Sequence, residues 1–344
     1  MVLKNIYIAR HGFRANWLPE PHPPTPTGID SDPALAPHGE EQAQELANYI
    51  FSITPQPEII LSSPFYRCVQ TSLPVSKLLG IDICLENGVG EWFKKDRPTK
   101  PSPASYETLS RFFGSNLKNY WNPTLIPSLE GETDVEIFQR CVEFWEKFIP
   151  KFEAQFPEIE TILFVTHAAS KIALGMSLMK FSSVYETIDG EDETLRAGTC
   201  SLSKYVRLDS NDWKLTMNGN TEFLTQGEEM NWNFANGFEA GSNEDVKNRQ
   251  AQNATRQSVS TKEDYTDVYV TLDIPNNAYN EIPATSRLQM SGLDDKQPLF
   301  KVGDEIYQGK WSKVMGTEVA FNENMQDGFI TIKDRIHLED VTPN

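Results

Sequence analysis

The sequence predicts a three-layer α/β domain with a largely parallel sheet, followed by a small all-β segment. Three observations predict it. Short apolar runs alternate with helix-patterned stretches over residues 5–179, as repeated strand–helix units require. Residues 239–264 are rich in Asn, Gln, Ser and charge and carry no apolar periodicity. Beyond them, strand signals alone remain.

Taken in order, residues 5–9 (Asn-Ile-Tyr-Ile-Ala) read as a short buried strand. The proline-rich stretch 19–37 reads as a long loop. From Pro37 a helix follows, with Ala43, Leu46, Ala47, Ile50 and Phe51 at i, i+3, i+4, i+7 and i+8. Ile59-Ile60-Leu61 is a second strand. Ser63 and Pro64 then supply an N-cap and a first-turn proline for a helix from Phe65, which Pro74 should kink or end. Another helix is expected over 132–148, with Val135, Phe138, Val142 and Trp145 as its buried stripe. Residues 161–166 are the clearest strand, and a helix is expected over 169–179. Asn218-Gly219, between 213–217 and 221–224, signals a hairpin turn.

The expected division is therefore a domain over 1–238, a flexible linker over 239–264 and a β-rich domain over 265–344. Strands are expected at 268–274, 299–302, 306–311, 317–321 and 329–338. A segment of about 80 residues buries little core alone, and unpaired strand edges invite another chain. This tail is expected to pair with a partner.

A net charge of −18 and a sequence pI near 4.7 argue against broad contact with a nucleic-acid backbone or an anionic membrane surface. The four cysteines, Cys68, Cys84, Cys141 and Cys200, form no Cys-x-x-Cys pair, which fits reduced thiols of cytosol or nucleus. No leader peptide and no membrane-spanning run is read from the sequence.

The chemistry concentrates in the first domain. His11 and His167 each follow a buried strand, and ligands of parallel α/β sheets bind at the carboxyl ends of strands. Arg10 and Arg14 bracket His11, and guanidinium forks match phosphate oxygens. Gly12 is expected to let the backbone approach a ligand. Arg67 falls in the first turn of a helix, where a bound anion would be favoured. Glu91 precedes Trp92-Phe93, so desolvation is expected to keep it protonated as a proton donor. A cysteine phosphatase would need an arginine six positions after its cysteine; Pro74, Gly90, Lys147 and Val206 stand there instead. No metal-ligand spacing and no Gly-rich nucleotide loop occurs, so neither a metal nor another cofactor is expected.

These motifs resemble the histidine phosphatase superfamily. Arg10-His11-Gly12 looks like its opening motif, the run from Ser62 through Arg67 to Thr71 like its second arginine motif, and Gly90-Glu91-Trp92 like its acid loop. Gly131-Glu132-Thr133 with Arg140 is similar to its later helix, and Val165-Thr166-His167 stands where its second histidine belongs. The resemblance implies a phosphoglycerate-mutase-like fold and hydrolysis of phosphomonoesters, phosphotyrosine among them. His11 would be the nucleophile and Glu91 the acid and base. Arg10, Arg14, Arg67 and His167 would bind phosphate. The superfamily usually has glycine after the second histidine; Ala168 departs from this, and its methyl is expected to narrow the pocket.

Over its full length the chain resembles the small phosphatase-bearing subunits of transcription factor IIIC, of the RNA polymerase III system. Met217-Asn218-Gly219-Asn220-Thr221-Glu222-Phe223, Asp273-Ile274-Pro275 and residues 329–336 carry this. It implies a nuclear protein whose residues 265–344 complete a barrel with the larger DNA-binding subunit of the same lobe. Other assembly subunits would join them, and the chain itself would bind DNA weakly. The alternative is a free-standing phosphatase or mutase of metabolism.

Overall fold

A computed structural model describes residues 2–188, 193–239, 242, 245, 270–273, 288–291, 297–302, 305–320 and 330–340. The chain divides into two compact units, Met1–Thr255 and Arg256–Asn344.

The first unit holds strands β1 (Asn5–Arg10), β2 (Ile59–Ser62), β3 (Ile83–Leu85), β4 (Leu117–Lys118), β5 (Thr161–Thr166), β6 (Leu202–Arg207) and β7 (Trp213–Asn220). Its α-helices are α1 (Pro37–Ser52), α2 (Tyr66–Leu79), α3 (Tyr106–Phe113), α4 (Asp134–Gln155) and α5 (Ala168–Leu178). The seven strands lie in the order β4-β3-β2-β5-β1-β6-β7. Pairing is parallel from β4 to β1 and antiparallel where β6 and β7 are added.

Strand periodicity sorts side chains onto the two faces. Ile6, Ile8, Ile162 and Phe164 join α4 and α5 in one core. Tyr7, Ala9, Leu163 and Val165 join α1 and α2 in the other. This is the expected three-layer arrangement, and among the described residues no helix is long and apolar enough to cross a membrane.

Several local expectations are corrected. Phe51 of α1 is exposed. Helix α2 starts at Tyr66, not Phe65; its N-cap residue is Phe65, which has no side-chain acceptor, and the Ser63 hydroxyl instead lies against His167. It runs through Pro74 to Leu79, held by the buried Val75 and Ser76 that follow the proline. Helix α4 is longer than expected and its stripe is rotated. Val135 and Val142 are exposed, while Ile137, Phe138, Cys141, Phe144, Trp145, Phe148 and Phe152 are buried. A capping box between Thr133 and Glu136 starts it. The hairpin turn lies at 208–212, not at Asn218-Gly219. Gly219 instead serves an irregularity inside β7, where φ is +54° and a Cβ would sit 2.6 Å from the Arg196 carbonyl oxygen. Residues 221–224 form turns rather than a strand.

The second unit is a five-stranded sheet built from β8 (Val270–Asp273), β9 (Leu288–Ser291), β10 (Leu299–Val302), β11 (Glu305–Ala320) and β12 (Ile330–Asp340). Its order is β8-β12-β11-β10-β9, antiparallel except for β8 against β12. The strands expected at 306–311 and 317–321 are one long strand with a register shift between Lys313 and Glu318, and β9 was not anticipated. Phe300, Tyr307 and Ile336 are buried. Gly309 leaves room for them, since a Cβ there would meet Phe300 at 2.6 Å. Of the expected linker, only Glu239, Ser242 and Asp245 are among the described residues; the rest lies outside them.

Candidate active site

Pairing of β1 with β5 builds the centre of the site. Arg10 lies opposite Thr166 in the register, so His11 and His167 leave the same sheet edge side by side. The His11 N–H donates to the Thr166 carbonyl at 2.9 Å, and the two imidazole centroids are 5.4 Å apart. Gly12 serves a different approach from the one expected. A Cβ there would stand 2.6 Å from the Gly39 carbonyl oxygen, so glycine admits helix α1 rather than a ligand.

His11 is 2% exposed, and its Nδ1 lies 2.8 Å from the Gly12 carbonyl oxygen. A carbonyl only accepts, so Nδ1 carries the proton and Nε2 keeps its lone pair. Burial, followed by the charges of Arg67 and Arg10, holds His11 well below the usual histidine range. His167 is fully buried, with Nε2 2.8 Å from Ser63 Oγ and Nδ1 3.2 Å from both Arg67 Nη2 and Glu91. Burial lowers it to about 4, against the opposing pull of Glu91.

Arg67 is 1% exposed and lies between two acids: Nη2 is 2.9 Å from Glu91 Oε2 and Nη1 is 3.6 Å from Asp32 Oδ1. Its buried Nε has no hydrogen-bond acceptor among the described residues. Asp32 also accepts from the Tyr66 N–H at 2.8 Å; burial raises its carboxyl to about 6, although Arg67 pulls the other way. The expectation of a protonated Glu91 is overturned. Burial does push its carboxyl up, but His167, Arg67 and Arg14 together hold it below the usual carboxylate range. Arg14 stacks on the Trp17 ring at 4.4 Å, and Trp17 stands 6.0 Å from His11.

The loop that carries Glu91 is fixed on several sides. Glu86 accepts from the Gly88 N–H and from Trp121 Nε1. Arg140 donates to the Gly88 carbonyl at 2.6 Å and pairs bidentately with Glu132 at 2.6 and 2.9 Å. Thr166 Oγ1 donates to the Val89 carbonyl and Ser170 Oγ to that of Gly90, both at 2.5 Å. Trp92 Nε1 donates to the Glu132 carbonyl.

Arg14, Asn16, Arg67, Glu91 and Arg97 line a cavity of about 90 Å³. Arg10 is placed otherwise: it is buried behind His11, and its Nη1 donates to the carbonyls of Ala197 and Met230. Ala168, next to His167, packs in the hydrophobic core, and neither it nor His11 or His167 is among the residues lining this cavity. His11, Glu91 and His167 bring ligand atoms within 4.8 Å of one another. The surrounding Arg10, Arg14 and Arg67 charges, however, suit an anion rather than a cation. Sequence reading missed Trp17, Asp32, Arg97 and Glu239. Trp17, three residues after Arg14, offered a signal; the other three sit in segments whose path depends on tertiary contacts.

Two family descriptions match the chain: the histidine phosphatase superfamily (branch 1) over residues 6–217 and the TFIIIC subunit triple barrel domain over residues 263–343. The chain is 47% identical to the transcription factor tau 55 kDa subunit of Saccharomyces cerevisiae, over 93% of its own length and 80% of that protein. In fold it is similar to the ecdysone phosphate phosphatase of Bombix mori, solved with tungstate. That likeness has a TM-score of 0.50 and 17% identity, covering 62% of this chain and 92% of the other.

Proposed function

The chain belongs to the histidine phosphatase superfamily and to the family of the transcription factor tau 55 kDa subunit, and from that membership we propose a phosphatase-bearing subunit of transcription factor IIIC. Its substrates are phosphomonoesters of the phosphotyrosine kind. The observation that carries the catalytic half is the state of His11: buried, neutral, with Nδ1–H fixed on Gly12 and the Nε2 lone pair available.

In this reading His11 Nε2 attacks phosphorus and the ester P–O bond breaks, leaving a phosphohistidine. Arg67 and Arg14 hold the equatorial oxygens, supported by Arg10 and His167, where charge and position supply most of the rate. Glu91 delivers a proton to the leaving oxygen. A phosphate dianion drawing on Arg67 and Arg14 weakens their hold on Glu91, which favours its protonated form. Water then attacks the phosphoenzyme, Glu91 takes its proton and the P–N bond breaks. No step calls for a metal or another cofactor.

Residues 265–344 complete a barrel with the larger DNA-binding subunit of the same lobe, and the assembly works in the nucleus. The TFIIIC triple barrel match at residues 263–343 supports the pairing. The net charge of −18 supports leaving DNA contact to the partner. Likeness to a transcription subunit over 93% of the chain gives a free-standing metabolic enzyme no support. The test is phosphate release from an aryl phosphate by the full chain and by its His11→Ala variant. Release by the wild type alone supports the enzyme; equal release by both removes it.

A further inference from the structure

The cavity lined by Arg14 and Arg67 carries a further arginine that the proposed chemistry does not use. Arg97 lines the same cavity as Arg14 and Arg67, and so does Glu239. Arg97 Nη1 lies 2.7 Å from Glu239 Oε2, and the Lys94 N–H donates to Glu239 Oε1 at 2.7 Å. Both oxygens of one carboxylate are thus gripped, by a guanidinium and by a backbone donor. That is the bonding an incoming carboxylate would need. The Glu239 side chain is 12% exposed and that of Arg97 is 37% exposed, so the carboxylate is sheltered while the guanidinium remains open to solvent.

Glu239 lines the cavity and at the same time occupies the two donors, Arg97 Nη1 and the Lys94 N–H. It stands just past the last aromatic packing of the first unit, at the start of the polar stretch that leads on towards the second. Its neighbours are fastened by Lys94 Nζ on the Gly237 carbonyl at 2.9 Å and Trp232 Nε1 on the Phe238 carbonyl at 3.0 Å.

We infer that Arg97 and the Lys94 N–H form a second anion subsite, held in cis by Glu239, which selects phosphomonoesters carrying a carboxylate close to the phosphate. A phosphotyrosine peptide with an acidic neighbour displaces Glu239 and takes its place; a neutral peptide must enter past it. The inference rests on the phosphatase reading of the inner cavity, and its test separates the two.

Full-length protein with His11→Ala binds without turning over. Calorimetry on it compares two phosphotyrosine peptides that differ only in a flanking Glu or Gln, with inorganic phosphate as a third probe. In the Glu239→Gln background, where the competing charge is gone, the acidic peptide should bind about two- to fivefold tighter than the neutral one, as for a half-exposed ion pair. Adding Arg97→Met should bring the two peptides to equal affinity while leaving inorganic phosphate binding in place. Should Arg97→Met lose its far-ultraviolet dichroism, the Glu239→Gln comparison alone decides. Equal affinity for both peptides in the Glu239→Gln protein overturns the subsite and leaves the phosphatase reading standing. Failure of inorganic phosphate and both peptides to bind removes that reading and the subsite with it.

Discussion

Arg67 donates to Glu91 at 2.9 Å inside a site where the arginine is 1% exposed. The pair joins the two halves of the proposed chemistry, because the arginine proposed to bind phosphate also joins His167 in holding the acid ionised. A lysine at this position keeps the charge but cannot reach Glu91, Asp32 and a phosphate at once. Arg67→Lys is expected to lower kcat/KM on an aryl phosphate by about 100-fold, as for loss of one preorganised donor. Steady-state kinetics checks this, and a loss below about threefold would reject the role.

The pH dependence should be unlike that of an ordinary histidine enzyme. Both imidazoles are depressed, His11 well below the usual range and His167 to about 4, so neither gains a proton as pH falls from 7.5 to 5.5. Glu91, held ionised by His167, Arg67 and Arg14, moves towards its donor form in that direction. Turnover per enzyme should therefore hold level or rise from pH 7.5 to 5.5. A fall centred near 6.5 in a kcat/KM profile would contradict the buried, neutral nucleophile.

Arg140 and Glu132 are both about 6% exposed and form a bidentate pair beneath the Glu91 loop. Removing one partner leaves the other charge buried. Arg140→Met should cost about 3 to 5 kcal/mol of stability, and the double change with Glu132→Met should recover much of it. Urea denaturation of the three proteins measures this. Equal losses in the single and double variants would show that the two residues act separately.

The carboxy-terminal unit is expected to depend on its partner. A fragment of residues 261–344 should give a poorly dispersed proton NMR spectrum alone and a dispersed one when co-expressed with the proposed larger subunit. Good dispersion of the isolated fragment would refute obligate pairing.

Much of the site was legible because its residues sit at strand ends, where local pattern fixes direction. His11 and His167 follow runs whose apolar character leaves no other reading, and β1 and β5 proved to be neighbours. What escaped was set by tertiary contact. Asp32 lies in a proline-rich loop and becomes an Arg67 partner only when α2 packs beside it. The protonation of Glu91 was misjudged because its aromatic neighbours are visible in sequence while the converging His167, Arg67 and Arg14 are not. Asn218-Gly219 is a strong turn signal by itself, yet contact with Arg196 and pairing with β6 turn it into a strand irregularity. In α4 the expected stripe holds at Phe138 and Trp145, which belong to the broader buried face, and fails at Val135 and Val142, which are exposed.

The register that sets Arg10 opposite Thr166 also dates the site within the folding process. His11 lies near the start of the first unit, Met1–Thr255, and His167 well past its middle, so neither a nascent amino-terminal half nor any local hairpin can hold them together. Closing so long a loop is slow, and it yields nothing until the central strands are paired. The assembled site is a certificate of a finished sheet: a chain caught part-way carries every motif and no site.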